Sequence, residues 1–160
     1  MKSELLKLLS RNARYTASQL ADMLATDEKT VNDMMKDLEK QGVIKGYKTV
    51  IDWERVENPD VSAIIELNVV PKAGLGFEDV AEKIAAYSEV ETVYLVSGDY
   101  DLHVVVKAKS LQDVAKFVAR ELAPIDSITA TTTNFVMRRY KEMDVKLYDS
   151  DRDDRGDFLL

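Results

Sequence analysis

Residues 26–47 read TDEKTVNDMMKDLEKQGVIKGY. Thr26 or Asp27 can cap a helix here, and the acids Asp27 and Glu28 suit its positive N-terminal end. Val31, Met35 and Leu38 recur at i, i+4 and i+7, the spacing of one buried stripe. The same spacing places Met34 outside. Gly42 fits the left-handed position that ends a helix. Residues 43–51 then turn β-rich and predict a strand or wing.

Two helices precede this segment. Leu5, Leu6, Leu8 and Leu9 give the first an apolar side, with its end near Asn12. Thr16 can cap the second, over 17–24, with Leu20 and Leu24 buried one turn apart. Ala25 and Thr26 form a tight connection to the third. Three short helices followed by a wing make a winged helix-turn-helix over residues 1–51, whose last helix is the one built to enter a major groove. Residues 52–60, containing Asn58-Pro59, read as a linker.

Beyond Pro59 the period of the pattern changes. Residues 61–70 predict a strand with Ile65, Leu67 and Val69 on one face and Glu66 and Asn68 on the other. Residues 71–76 predict a loop, and the pair Gly74 and Gly76 within it lacks the spacing of a nucleotide motif. A helix follows over 77–87, with Phe77, Val80, Ala81 and Ile84 inward. Residues 90–97 and 100–108 predict two strands around the hairpin signal Gly98-Asp99. Ser110 caps a helix running to Leu122, with Leu111, Val114, Phe117, Val118 and Leu122 inward. A last strand spans 128–140. The order β-α-β-β-α-β over residues 61–143 is the ferredoxin-like, ACT-like pattern, and the class is α+β. Both helices cover one sheet face, so the other calls for a partner, and a dimer follows from the architecture. Residues 144–160 read as an acidic, solvated tail; its aspartates lack the spacing of a calcium loop.

Composition narrows the function classes. The chain has 160 residues, 46% hydrophobic and 32% charged, with no cysteine and a net charge of −7. Disulfides and thiolate metal sites are excluded. No apolar run is long enough to span a bilayer and no signal peptide is visible, which leads us to expect a cytoplasmic protein. Residues 1–55 carry ten Lys and Arg against nine Asp and Glu, whereas residues 56–143 carry nine against fourteen. Only the N-terminal part is non-acidic, the right end for a nucleic-acid contact. His103 stands alone, so it cannot build a metal site or a triad, and it reads as a sheet-surface residue. With no nucleophile–base pair in view, no enzyme and no cofactor are expected.

Several motifs together resemble the leucine-responsive/asparagine regulators, the Lrp/AsnC or feast/famine family. In the first half they are Asn12-Ala13-Arg14, Leu20-Ala21, Thr30-Val31, Leu38-Glu39 and residues 42–47, GVIKGY. In the second they are Val90-Glu91, residues 94–102, YLVSGDYDL, and residues 131–137, TTTNFVM. The resemblance implies a sequence-specific transcriptional regulator. It also implies a homodimer that often assembles into octamers, binds double-stranded operator DNA and senses an amino acid or related small molecule at its C-terminal domain. Family recognition helices commonly carry Arg at the positions of Asp33, Met34 and Asp37, so this chain departs from the pattern there. Its third helix keeps a basic stripe of Lys29, Lys36 and Lys40.

The candidate DNA-contacting residues are therefore Lys29, Thr30, Asn32, Asp33, Lys36 and Lys40 on that helix, with Arg11, Arg14, Lys45 and Lys48 supplying phosphate contacts. Asn32 can pair with adenine, and Asp33 can accept from cytosine. The same residues also fit an ordinary solvated helix face. At the hairpin, turn chemistry alone accounts for Gly98 and Asp99. The resemblance adds a ligand role for Ser97, Gly98, Asp99, Tyr100 and Asp101, together with Thr131, Thr132 and Thr133. Asp99 or Asp101 would meet an α-ammonium, and backbone N–H groups or threonine hydroxyls an α-carboxylate. The acids at 33 and 37, with the net charge of −7, motivate an alternative: a ligand-sensing oligomer that has lost DNA and acts through a protein partner.

Overall fold

The computed structural model describes residues 1–71 and 76–148. The chain divides into two compact units, Met1–Val50 and Ile51–Leu160, each with its own core. The expected loop at 71–76 falls largely outside the described residues, and so does most of the expected acidic tail.

The first unit holds α1 (Lys2–Arg11), α2 (Ala17–Leu24) and α3 (Glu28–Lys40). Leu5 and Leu9 of α1, Leu20 and Ala21 of α2, and Val31, Met34 and Leu38 of α3 form one buried cluster. Each fully buried leucine contributes about 1.5–3 kcal/mol. Thr16 caps α2 in a reciprocal box: its hydroxyl accepts from the Gln19 N–H at 3.2 Å, and the Gln19 side chain accepts from the Thr16 N–H at 3.0 Å. At the start of α3 the Asp27 carboxylate accepts from the Thr30 N–H at 2.8 Å. Gly42, at φ 69°, ends α3. The Val43 N–H reaches the Leu38 carbonyl and the Gly42 N–H the Glu39 carbonyl, both at 2.9 Å, closing a Schellman motif.

Three expectations fail here. Met34 is buried, at 8% exposure, and Met35 is only half-buried. Positions i+3 and i+4 flank the same stripe, and the helical core lies on the i+3 side. Leu24 is likewise half-buried. Residues 43–51 form no strand. A strand needs a ladder partner, and the described residues of this unit offer none. Val43 and Ile44 instead send their N–H groups back to Leu38, and the Tyr47 hydroxyl donates to Glu39 at 2.9 Å. The wing is thus an arm tied to the end of α3.

The second unit opens with a 3-10 turn, Trp53–Arg55, capped by Asp52. There follow β1 (Val61–Val69), α4 (Phe77–Ala85), β2 (Val90–Leu95), β3 (Leu102–Ala108), α5 (Leu111–Phe117) with a π-helical continuation Val118–Leu122, and β4 (Ile128–Phe135). A small hairpin, β5 (Lys141–Glu142) and β6 (Val145–Lys146), comes last. The sheet order is β2-β3-β1-β4 and every neighbouring pair is antiparallel. This is the expected ferredoxin-like order of elements. Ala63, Ile65, Leu67 and Val69 pack with Leu102, Val104 and Val106 under Val80, Ile84, Val114, Phe117 and Leu122 from the helices. The Tyr87 ring meets Phe117 edge-on at 5.4 Å.

Two strand boundaries move, and one helix residue changes sides. The strands around the hairpin stop at Leu95 and resume at Leu102, leaving a six-residue connection closed by Val96 N–H to the Asp101 carbonyl at 2.9 Å. β4 stops at Phe135 rather than Tyr140: the last cross-strand pair is Ala63 opposite Phe135, and one further bond, from the Val136 N–H to the Ser62 carbonyl at 2.9 Å, closes the ladder. Leu111 is 54% exposed instead of inward. It is the first residue of α5, ahead of the turn whose face reaches the core.

One strained residue yields a prediction. Ala25 ends α2 in the left-handed region, at φ 51° and ψ 49°, where a Cβ costs on the order of 1 kcal/mol. Ala25→Gly is expected to stabilise the N-terminal unit by about that amount, read as a higher midpoint in urea denaturation.

Candidate DNA face and candidate ligand turn

The buried stripe of α3 decides what the helix offers to solvent. Lys29, Asp33, Lys36 and Lys40 recur at i, i+4, i+7 and i+11, on the side away from Val31, Met34 and Leu38, and all four are exposed. Asn32 borders them and is exposed too. The structure thus brings five of the six expected α3 residues onto one face. Thr30, the sixth, is half-buried, and its hydroxyl donates to Asp27 at 2.6 Å. It serves the cap first. Arg11, Arg14, Lys45 and Lys48 are exposed. None of these cations forms an ion pair within 4 Å among the described residues. Their ammonium and guanidinium groups are available for phosphate.

The two acids on α3 behave differently. The Lys2 ammonium of α1 pairs with Asp37. That contact, helped by Gln41, holds the Asp37 carboxyl below the usual carboxylate range. Asp37 is therefore balanced from within the unit. Asp33 has no such partner among the described residues. The separation of 35 residues between Lys2 and Asp37 explains why no local spacing signalled the pair. The charge argument for a chain that has lost DNA loses one of its grounds.

In the second unit, the turn between β2 and β3 is braced against the end of β1. The Asp101 carboxylate accepts from the Val69 N–H at 2.7 Å, and the Asp101 N–H donates to the Leu67 carbonyl at 2.9 Å. The Asn68 side chain donates to the Asp99 carbonyl at 2.8 Å. One Asp101 oxygen is thus committed to the backbone. Ser97, Gly98 and Asp99 are exposed, and Tyr100 is half-buried beside His103, ring centres 6.3 Å apart. Thr131 pairs with Leu67, Thr132 with Glu66 and Thr133 with Ile65. Since opposite residues share a face, Thr131 and Thr133 lie on the helix-covered side and Thr132 on the open side. β1 runs between the turn and these threonines, so two strand spacings, about 10 Å, separate them. Within one chain they do not form a single pocket.

The open sheet face carries Tyr94, His103, Glu66 and Thr132 in one cross-strand row and Val105, Ile64 and Asn134 in the next. The Tyr94 and His103 rings stack at 6.2 Å, which places His103 on the sheet surface, as expected. A shallow, mostly apolar groove of about 380 Å³ lies beside β4, lined by Ile64, Phe135, Met137 and Tyr140 among others. Nothing in the residue pattern signals it, because the spacing predicts that Met137 and Tyr140 extend β4.

Comparison with known proteins places these parts. Residues 62–145 match the family model of the Lrp/AsnC ligand binding domain. Residues 2–45 match that of a winged helix-turn-helix DNA-binding domain. The chain belongs to the Lrp/AsnC family. It is 41% identical over 155 residues to the uncharacterized HTH-type transcriptional regulator YugG of Bacillus subtilis, covering 96% of this chain and 93% of that one. The crystal structure of MtbAldR superposes with a TM-score of 0.75 at 27% identity, over 88% of this chain and 94% of that chain. A Neisseria meningitidis transcriptional regulator solved as its L-Met complex shares the fold, with a TM-score of 0.69 at 21% identity, over 88% and 90% of the two chains. This Lrp/AsnC member is thus a DNA-binding transcriptional regulator with a ligand-binding domain. Its relatives are named as regulators, in keeping with a non-enzymatic role.

Two measurements check the local chemistry. With a folded-state pKa below the unfolded value, Asp37 stabilises the unit at pH values above the ordinary carboxylate pKa, and that contribution is lost as pH falls through its lowered one. Lys2→Met is expected to move the Asp37 titration, followed by carboxyl NMR, up toward the usual range. Asp101→Ala leaves the Val69 N–H without its acceptor and is expected to cost about 1–3 kcal/mol in the C-terminal unit. Asp101→Asn, which keeps an oxygen, should cost less in the same urea titration.

Proposed function

We propose that the α3 face reads operator DNA, with Lys29, Lys36 and Lys40 beside Asn32 and Asp33 in the major groove and Arg11, Arg14, Lys45 and Lys48 on flanking phosphates. The observation that carries this reading is the outward stripe of lysines, without an ion pair within 4 Å among the described residues, set opposite the buried stripe of α3. A cationic face that the fold itself does not neutralise suits a polyanion.

The C-terminal unit, on this proposal, pairs with a second copy through its open sheet face. Ile64, Val105, Tyr94 and the groove beside β4 supply apolar surface that no helix among the described residues of this unit covers. Higher assembly, up to an octamer, builds on that dimer. An α-amino acid is the proposed effector, held at the 97–101 turn. Its ammonium meets the Asp99 carboxylate in preference to Asp101, whose oxygen already serves Val69, and its carboxylate meets backbone N–H groups of the turn. The L-Met complex of the Neisseria meningitidis neighbour supports that ligand class. The threonines at 131–133 would join such a site only across a subunit boundary. A cytoplasmic location fits a regulator of this kind.

The test is titration of the protein into its own promoter fragment and a scrambled duplex, at two salt concentrations, with and without a pool of amino acids. Promoter-preferring binding that falls steeply with salt and shifts with amino acids is the expected result. Lys36→Glu should weaken binding to both duplexes and lower the salt slope by about one. Binding that is indifferent to salt and to this substitution would remove α3 from the interface.

A further inference from the structure

We propose that Asp33 is the residue through which this protein demands a C·G base pair in its operator, its carboxylate accepting from the cytosine N4 amino group in the major groove. The inference rests on the proposal that the α3 face reads DNA.

The fold accounts for every other acid of this helix and its cap. Asp27 holds the Thr30 N–H and hydroxyl. Glu28 sits in the first turn, where the helix end favours an anion. Asp37 is paired with Lys2, and Glu39 accepts from Tyr47 at 2.9 Å. Asp33 alone stands in mid-helix, exposed, with no partner among the described residues. Lys29 lies one turn before it and Lys36 one turn after, yet neither comes within ion-pair distance. The carboxylate therefore keeps its full accepting capacity, at the centre of the cationic stripe.

Chemistry then selects what it can meet. A carboxylate is repelled by phosphate, so its place on a DNA-facing helix is at a base edge. In the major groove guanine presents two acceptors, and thymine an acceptor beside a methyl group. Adenine sets an acceptor next to its amino group. Cytosine alone offers an amino donor without a neighbouring acceptor. The flanking lysines offset the repulsion between the carboxylate and the backbone. Asp33 thus costs affinity for DNA in general and returns it at one base pair.

The experiment uses the full chain. Selection from a randomised duplex pool defines the preferred site, and competition binding then compares all four base pairs at each enriched position for wild type, Asp33→Ala and Asp33→Asn. Wild type should prefer C·G at one position per half-site by roughly five- to 150-fold. Asp33→Ala should lose that preference, keep those at other positions and bind scrambled duplex more tightly. Asp33→Asn should shift the preference toward adenine. Wild type tolerating all four pairs at every position, or Asp33→Ala keeping the C·G preference, overturns the assignment. Should binding remain salt-sensitive and weakened by Lys36→Glu in that case, the DNA reading of α3 survives and Asp33 alone is reassigned. No salt-sensitive binding at all overturns both.

Discussion

Burial of Val31, Met34 and Leu38 fixes the rotation of α3 about its own axis. A helix with one apolar stripe has one orientation that removes it from water. Once that stripe packs with Leu5, Leu9, Leu20 and Ala21, the lysines at 29, 36 and 40 have nowhere to go but outward. The caps then set where the helix begins and ends: Asp27 at its start, and Gly42 with its left-handed backbone at its end. The basic face is thus a consequence of the core, reached without any attractive interaction among the lysines themselves.

The second unit rests on β1. It is bonded on both sides, to β3 and to β4, and its Ile65 and Leu67 are fully buried. The turn between β2 and β3 leans on the same strand, through Asp101 to Val69 and Leu67 and through Asn68 to Asp99. The hairpin motif that looks like a free ligand loop in the sequence is therefore partly a brace. Its carboxylates divide into one that holds backbone and one that faces solvent. That division bears on which of them can greet a charged ligand, since an acceptor already engaged by a buried N–H is costly to withdraw.

Electrostatics in the N-terminal unit follow a similar division. Two aspartates on α3 count alike in a tally of charges, yet Lys2 answers one and none of the described residues answers the other. The net charge of −7 says little about either. What a DNA duplex would meet is the local pattern on one helix face, because charges farther away than a Debye length are largely screened at physiological ionic strength.

The helices, their caps and the order of strands were legible in the sequence because each is a local matter. Thr16, Asp27 and Gly42 act within one turn of their own position, and the alternation through Ile65, Leu67 and Val69 is a property of consecutive residues. The family resemblance, too, lay in short motifs such as SGDYD. Tertiary structure alone decided the rest. It put Met34 rather than Met35 in the core, denied residues 43–51 a strand partner, ended β4 at Phe135, joined Lys2 to Asp37 and turned Asp101 inward to Val69. Each of these depends on which distant backbone or charge lies within a few ångströms, and distance in space between residues far apart in the chain is not written in their spacing.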